Sequence, residues 1–475
     1  MTIPKFRKLS GIFTPPGDKS ISHREAMLAS LAHGRSFIKN FLHSGDTDAT
    51  LAALSHLGVE VIHKNNGIEI IGRGLKGLKK SEMALDLKNS GTSLKLFTGL
   101  LSAQRFSSTL TGDSSLCRRP MGELIRHLRA MGAMFSAPNA RVLSPVGYPP
   151  PSSCVRAAAA PLPAPPARLT TEMGAPIVID PCLGRLKGIS CALASPSAQL
   201  KSALLLASLY SEGITEIRER IPTRDHTERL LNTLGIPVDK TEGLIKMRGG
   251  EGEIKFFGMS FNIPGDISSA SFFIAAALLI PNSELEIRSV GLNPTRTGFL
   301  DIARAMGGRI EVEIVHQSDE PFGNIYVKSS ELKGISIAES LTIRAIDEIP
   351  LVALLATQAE GETEICGTEP LHFKESDRIS AIVTELNRMG AKISHDEDRL
   401  LIEGPTPLRG ETVQSHDDHR IAMMLSIAAQ IAEGEVEIDD LSSISVSFPG
   451  YFNALTVLTT RKPMQLLRLS TPLFR

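Results

Sequence analysis

A chain of 475 residues exceeds what one ordinary hydrophobic core organises, so two domains of about 200 residues each are the expectation. Fifty-one Lys and Arg against 52 Asp and Glu leave a formal charge of -1, which argues against nucleic acid or an anionic membrane as partner. Any anion must then be bound by a local arrangement of charge. The opening MTIPKFRKLSGIF has no apolar core of signal-peptide length. The longest apolar stretch, near Ala270 to Ile280, falls short of the roughly 18 residues that a spanning helix needs, so a soluble cytoplasmic protein is expected. Cys117, Cys154, Cys182, Cys191 and Cys366 are odd in number and follow no CxxC or Cys/His spacing. They read as reduced structural thiols, with neither a disulfide framework nor a metal site.

Along the chain, PGDKSISHREAMLASLA places Asp18 and Ser20 at the mouth of an apolar helix, and PGDISSASFFIAAALL repeats the pattern 248 residues later, at Asp266. Asp and Ser cap helix N-termini, so a turn followed by a helix is the simplest reading of both. Between and after them, helical stretches that end in Leu-Gly or Met-Gly run into apolar strands at LSHLGVEV, LRAMGAMF, LLNTLGIPV, ARAMGGRIEV and LNRMGAKI. In each, the glycine (Gly58, Gly132, Gly235, Gly307, Gly390) is the expected C-cap, where a left-handed backbone costs least. FNALTVLTT reads as a worn sixth copy, which gives six αβ units in two sets of three. One interval, 103 residues against 72 to 83 elsewhere, is stretched by Pro149 to Arg168, with seven prolines and six alanines in twenty residues. Such a segment reads as an exposed, partly polyproline-like insertion.

The polar clusters fall at the unit boundaries: Lys19-Ser20 with Arg24, Asn89 to Thr92, Arg118-Arg119, Ser197 to Gln199, Arg224 to His226, Asp347-Glu348, Lys374 to Arg378, and Asp418 to Arg420. Segments that open helices present free backbone NH groups to anions. Arg adds forked, permanent charge and Lys a compact one. Taken singly, each basic residue reads first as a surface ion-pair partner; taken together, they suit a polyanion. Asp347, beside the apolar run IPLVALLA, and Glu375 are the carboxylates placed to act as base and acid, with a helix N-cap as the plainer reading of Asp347. There is no GxxxxGK[ST], GxSxG or HExxH motif, so the corresponding nucleotide, hydrolase and metalloprotease chemistries fit the chain less well.

These segments, with TGDSSLCRRPM, SAQLKSALLLASL, RDHTERLL, NPTRTG, IDEIP, KESDRI, DDHRIAM and SFP, resemble the successive signatures of the 5-enolpyruvylshikimate-3-phosphate (EPSP) synthases. The likeness runs in family order from residue 16 to about 450 and is nearest to the family's divergent bacterial branch. It implies the two-domain α/β enolpyruvyl transferase fold, an inside-out α/β barrel with three βαβαββ-like repeats per domain. One domain would span 17–250, with the insertion near 149–168, and the other 1–16 plus 251–475. It also implies transfer of the enolpyruvyl group of phosphoenolpyruvate to the 5-hydroxyl of shikimate 3-phosphate, a step toward the aromatic amino acids, by a monomer that needs neither metal nor cofactor. By resemblance, Lys19, Ser20, Arg24, Ser197, Ala198, Gln199, Thr223, Asp347 and Lys374 would hold shikimate 3-phosphate, with His226 lining the same pocket. Lys19, Gly91, Arg119, Gln199, Arg378 and Arg420 would hold phosphoenolpyruvate. Asp347 would be the base, Glu375 the acid at C3, and Lys19 a further catalytic group.

The sequence departs from the family pattern at Lys95 and His372, where relatives carry Arg, at Thr223 for Ser, at Val446, where one branch has Lys, and at Pro196 beside Ser197. Two rival readings stay open. One is the sister transferase acting on UDP-N-acetylglucosamine, whose reactive cysteine lies five residues before an Arg-Pro pair; here that position, before Arg119-Pro120, is Ser114. The other is a catalytically dead anion-binding homologue.

Overall fold

All five glycines marked as helix ends adopt left-handed backbone, with φ of +83° at Gly58, +105° at Gly132, +77° at Gly235, +96° at Gly307 and +100° at Gly390. Each follows a helix (Gly45–His56, Gly122–Met131, His226–Thr233, Gly298–Ala305, Arg378–Arg388) and leads into a strand. The computed structural model describes residues 3, 5–136, 174–250, 252–317, 320–396 and 398–459. The proline- and alanine-rich segment 149–168 lies outside the described residues.

The chain divides into two units. The first comprises Gly17–Ile263 and Pro370–Asp377; the second takes the described parts of Met1–Pro16, Pro264–Glu369 and Arg378–Arg475. Helices of two kinds alternate in both. Lys19–Leu31, Gly91–Leu101 and Ala198–Ser208 in the first unit, and Ile267–Leu279, Ile349–Thr357 and His419–Ile431 in the second, are buried over most of their circumference. The helices that end at the marked glycines carry polar faces outward and bury one apolar stripe, as the 3.6-residue period requires. Strands alternate buried and exposed residues, as in Glu284–Gly291 and Leu244–Arg248, so sheets lie outside and helices inside. The stretch Ala270 to Ile280 belongs to the first buried helix of the second unit.

Five sheets share one plan: a parallel pair, whose second strand continues into an antiparallel hairpin. In the third repeat of the first unit, for example, Ser190–Ala192 lies parallel to Ile214–Arg218, which pairs antiparallel with Leu244–Arg248 and through it with Val238–Thr241. The sixth sheet shows only the parallel pair Thr412–Val413 and Glu437–Ile438 among the described residues, and Tyr451–Thr459 is the helix of this worn repeat. Asp18 and Asp266 cap their helices, accepting from the backbone NH of Ile21 and Ser268.

The seam between units falls after Ile263, not at 250, because Ser260–Asn262 lies parallel to Phe37–Lys39 and completes that first-unit sheet. Ser10–Phe13 likewise completes the sheet of Glu284–Gly291 in the second unit. Pro370–Asp377 also falls in the first unit, where the Ser115 hydroxyl donates to the Glu375 carbonyl at 2.8 Å.

Two buried helices of the first unit meet at Gly99, where an added Cβ would lie 2.1 Å from the Ala203 carbonyl oxygen. Backbone cannot step aside as a side-chain tip can. Gly99→Ala should therefore lower stability by about 1–3 kcal/mol in denaturant unfolding. Gly184→Ala, whose Cβ would meet nothing within 4 Å, should change it by less than about 0.5 kcal/mol.

Candidate active site

Almost every polar cluster of the sequence sits at the N-terminus of a helix. Lys19, Gly91, Ala198 and His226 are first residues of helices in the first unit, and Arg378 and His419 in the second. Ser90, Ser197 and Asp418 are N-caps that accept from Ser93, Leu200 and Arg420 backbone NH groups. An N-terminus carries partial positive charge and unpaired NH donors, so these positions are made for anions. Pro196 does not prevent the Ser197 cap, which closes at 3.3 Å.

In the first unit, side chains tie these ends together. Arg24 donates from Nε to the Thr227 hydroxyl at 2.8 Å, from Nη2 to Ser202 at 2.9 Å and from Nη1 to the Ser20 carbonyl at 2.9 Å. Gln199 donates to Thr92 at 2.9 Å, linking the Ala198 and Gly91 helices. Lys19 pairs with Asp46 at 2.9 Å. One turn on, His23 Nδ1 is hydrogen-bonded to Thr50 at 2.7 Å, and Thr50 to Ser93 at 2.6 Å. Burial, then Lys19 and Arg24, hold the His23 imidazole well below its usual pKa, so it stays neutral. Thr223 is fixed by the buried pair Lys201–Glu219 (2.9 Å): its hydroxyl donates to Glu219, and Lys201 donates to its carbonyl at 3.4 Å.

Arg119 donates to the Asn89 side chain at 2.7 Å and stands 3.8 Å from Glu375. An added Cβ at Gly91 would lie 2.3 Å from Arg119 Nη1, so glycine is what lets this guanidinium lie against the helix start. Lys95, one turn into that helix, is pushed down to about 8 by burial, then by Lys374 and Arg119. His372 pairs with Asp377 at 2.9 Å. Cys117 contacts the Gly112 carbonyl, and burial pushes its thiol up. A protonated thiol there, with Ser114 in the reactive-cysteine position, does not suit the sister transferase.

The second unit gathers Asp347, Arg378 and Arg420. Arg378, only 1 % exposed, donates from Nε to Asp418 at 2.8 Å and from Nη1 to Asp347 at 3.3 Å. Arg420 donates to the Asp347 carbonyl at 3.0 Å and stands 3.7 Å from its carboxylate. Asp347 is not a helix cap: Glu348 occupies that position without capping through its side chain, and it accepts from the Ser268 hydroxyl. Arg296, Asp46 and Lys201 were not singled out from the sequence, and Glu348 was marked only as the neighbour of Asp347. Their signal was present only as charged letters in NPTRTG, SGDTD, IDEIP and SAQLKS, because their partners lie far away in the chain. Among the described residues there is no group of three or more His, Cys, Asp and Glu arranged to hold a metal ion.

The chain matches the family model for EPSP synthase (3-phosphoshikimate 1-carboxyvinyltransferase) over residues 3–150 and 164–455. It is 44% identical over 461 residues to the 3-phosphoshikimate 1-carboxyvinyltransferase of Thermodesulfovibrio yellowstonii, covering 96% of this chain and 99% of that protein. Identity to the protein of that name from Bacillus anthracis is 39% over 451 residues, covering 95% of this chain and 97% of that one. Among solved structures, EPSP synthase from Acinetobacter baumannii superposes with a TM-score of 0.78 at 36% identity, covering 96% of this chain and 97% of that one. The enolpyruvyl transferase NikO from Streptomyces tendae gives 0.73 at 16% identity, covering 96% of each chain, which is a likeness of fold.

Lys95 supplies a pH test of whether these helix starts bind an anion. Its ammonium is charged below about 8 and neutral above, so binding of sulfate, a dianion throughout this range, followed by calorimetry, should weaken as pH rises through that value. Lys95→Arg keeps its charge and should flatten the dependence; an unchanged profile would detach Lys95 from the site.

Proposed function

The chain belongs to the EPSP synthase family, and from that premise we infer that it transfers the enolpyruvyl group of phosphoenolpyruvate to the 5-hydroxyl of shikimate 3-phosphate, releasing phosphate. Shikimate 3-phosphate is held by Lys19, Ser20, Arg24, Ser197, Ala198, Gln199, Thr223, Asp347 and Lys374. Phosphoenolpyruvate is held by Lys19, Gly91, Arg119, Gln199, Arg378 and Arg420. The observation that carries the reading is the clamp on Asp347, whose carboxylate lies 3.3 Å from Arg378 and 3.7 Å from Arg420. A carboxylate kept ionised among fixed cations suits a base that works beside an anionic substrate.

The chemistry follows from what each group can do. Glu375 gives a proton to C3 of phosphoenolpyruvate, which makes C2 electrophilic, while Asp347 takes the proton of the attacking 5-hydroxyl. The new C–O bond gives a tetrahedral intermediate. Loss of a methyl proton back to Glu375 and departure of phosphate, which carries off the proton held by Asp347, restore the double bond. No step of this scheme calls for a metal or cofactor. The basic side chains offset the repulsion between two phosphorylated acids and fix their orientation, the largest contributions a protein can make here.

Arg24 enters this scheme with its guanidinium already engaged by Ser20, Ser202 and Thr227, so it orders the Lys19 helix start as well as adding charge. A cytoplasmic monomer is the accompanying proposal. The location is in keeping with four described cysteines that are all free, while the monomeric state rests on the family resemblance alone.

Asp347→Asn should lower kcat by about 10²–10⁴-fold, the usual share of a general base, with shikimate 3-phosphate still binding in titration calorimetry. Turnover near that of the unaltered protein would remove Asp347 as the base.

A further inference from the structure

Arg296 is buried, 3% exposed, in the loop NPTRTG, and the roles above leave it without a task. A buried guanidinium is costly unless its charge and donors are satisfied. Here the Nη2 group donates to the Ser268 hydroxyl at 2.7 Å and lies 3.6 Å from Asp266, the cap of the Ile267 helix, while Nη1 faces Asp347 at 3.9 Å. Resting on the mechanism above, we propose that Arg296 is a positioning residue for the catalytic base: it holds the Asp347 carboxylate oriented and ionised while Arg378 and Arg420 turn to phosphoenolpyruvate.

The charged groups around Asp347 divide by what else they must do. Arg378 and Arg420 approach it from the starts of the Arg378 and His419 helices and are shared with the anionic substrate. When phosphoenolpyruvate takes them, its own negative charge cancels much of their field at Asp347. Glu348, next in the chain, adds a negative charge 3.5 Å from Arg420, and Asp418 holds Arg378 from behind. Arg296 is anchored on the far side by Ser268 and Asp266 and is assigned to neither substrate. It is therefore a cation that stays with the base through the reaction. Without it, Asp347 would take up protons at higher pH, and a protonated Asp347 accepts nothing from the 5-hydroxyl.

The loop itself has a second anchor that does not reach Asp347. Arg344 donates to the Pro294 carbonyl at 2.9 Å and to Thr297 at 3.1 Å, and pairs with Asp301 at 2.7 Å. This separates holding the loop from tuning the base. The experiment is the pH profile of kcat, with both substrates saturating, for Arg296→Gln, Arg296→Lys and Arg344→Gln, with thermal melting to confirm folding. The acidic limb should move to higher pH by about one unit in Arg296→Gln, the low end of what an adjacent Arg does to a carboxylate. It should return to its original place in Arg296→Lys and stay there in Arg344→Gln. An unmoved limb in folded Arg296→Gln overturns the proposal, as does an equal shift in Arg344→Gln. If Arg296→Gln does not fold, Arg296→Lys decides: a folded enzyme with its limb in place supports retained charge at this position, and loss of activity at every pH refutes it. Near-normal turnover of Asp347→Asn would instead show that the base assignment itself had failed, whatever Arg296 does.

Discussion

The ion-pair cluster around Asp347 is the interaction on which the account depends. Burial among apolar helices favours the protonated form of a carboxylate, which is no base, whereas Arg378 and Arg420, 3.3 and 3.7 Å from Asp347, favour the charged form. The tension resolves if the cations are shared with a substrate that is itself a polyanion. Asp418 and Glu348 then matter as much as the arginines, because they fix the guanidinium groups in place before any ligand arrives.

The same economy is visible in the first unit. Three mostly buried helices start at Lys19, Gly91 and Ala198, and hydrogen bonds from Arg24, Gln199 and His23 reach across to neighbouring helices near those starts. None of these ties is large in energy, each being worth about 0.5–1.5 kcal/mol net, or somewhat more for the charged Arg24. Their effect is geometric: backbone NH groups and side-chain cations are fixed near one another, so little ordering is left for ligand binding to do. His23 illustrates the point, since a neutral imidazole can hold Thr50 without adding charge beside Lys19.

What the sequence made legible was whatever a short window encodes. The glycine C-caps at Gly58, Gly132, Gly235, Gly307 and Gly390 were readable because only a residue without Cβ takes φ near +90° cheaply. The helix starts at Asp18, Ser90, Ser197 and Asp418 were readable because short polar side chains cap helices. The family signatures singled out the residues given to the site, whose roles remain proposals. Illegible were the contacts between distant letters. Arg296 meets Ser268 and Asp347, and Ser268 meets Glu348 80 residues away; no local pattern announces such a meeting. The seam after Ile263 was missed for a related reason: Ser260–Asn262 is three residues long, too short for its single buried Phe261 to mark a strand, and it is one because Phe37–Lys39 accepts it. Within IDEIP, two adjacent carboxylates could not be told apart by pattern, and the helix-cap position fell to Glu348.

The most direct measurement is the release of inorganic phosphate after the purified full chain is mixed with shikimate 3-phosphate and phosphoenolpyruvate together and separately. Phosphate is expected only when both acids are present, in step with formation of the enolpyruvyl ether. Tight binding of both with no phosphate released would contradict it and leave a protein that collects anions without joining them.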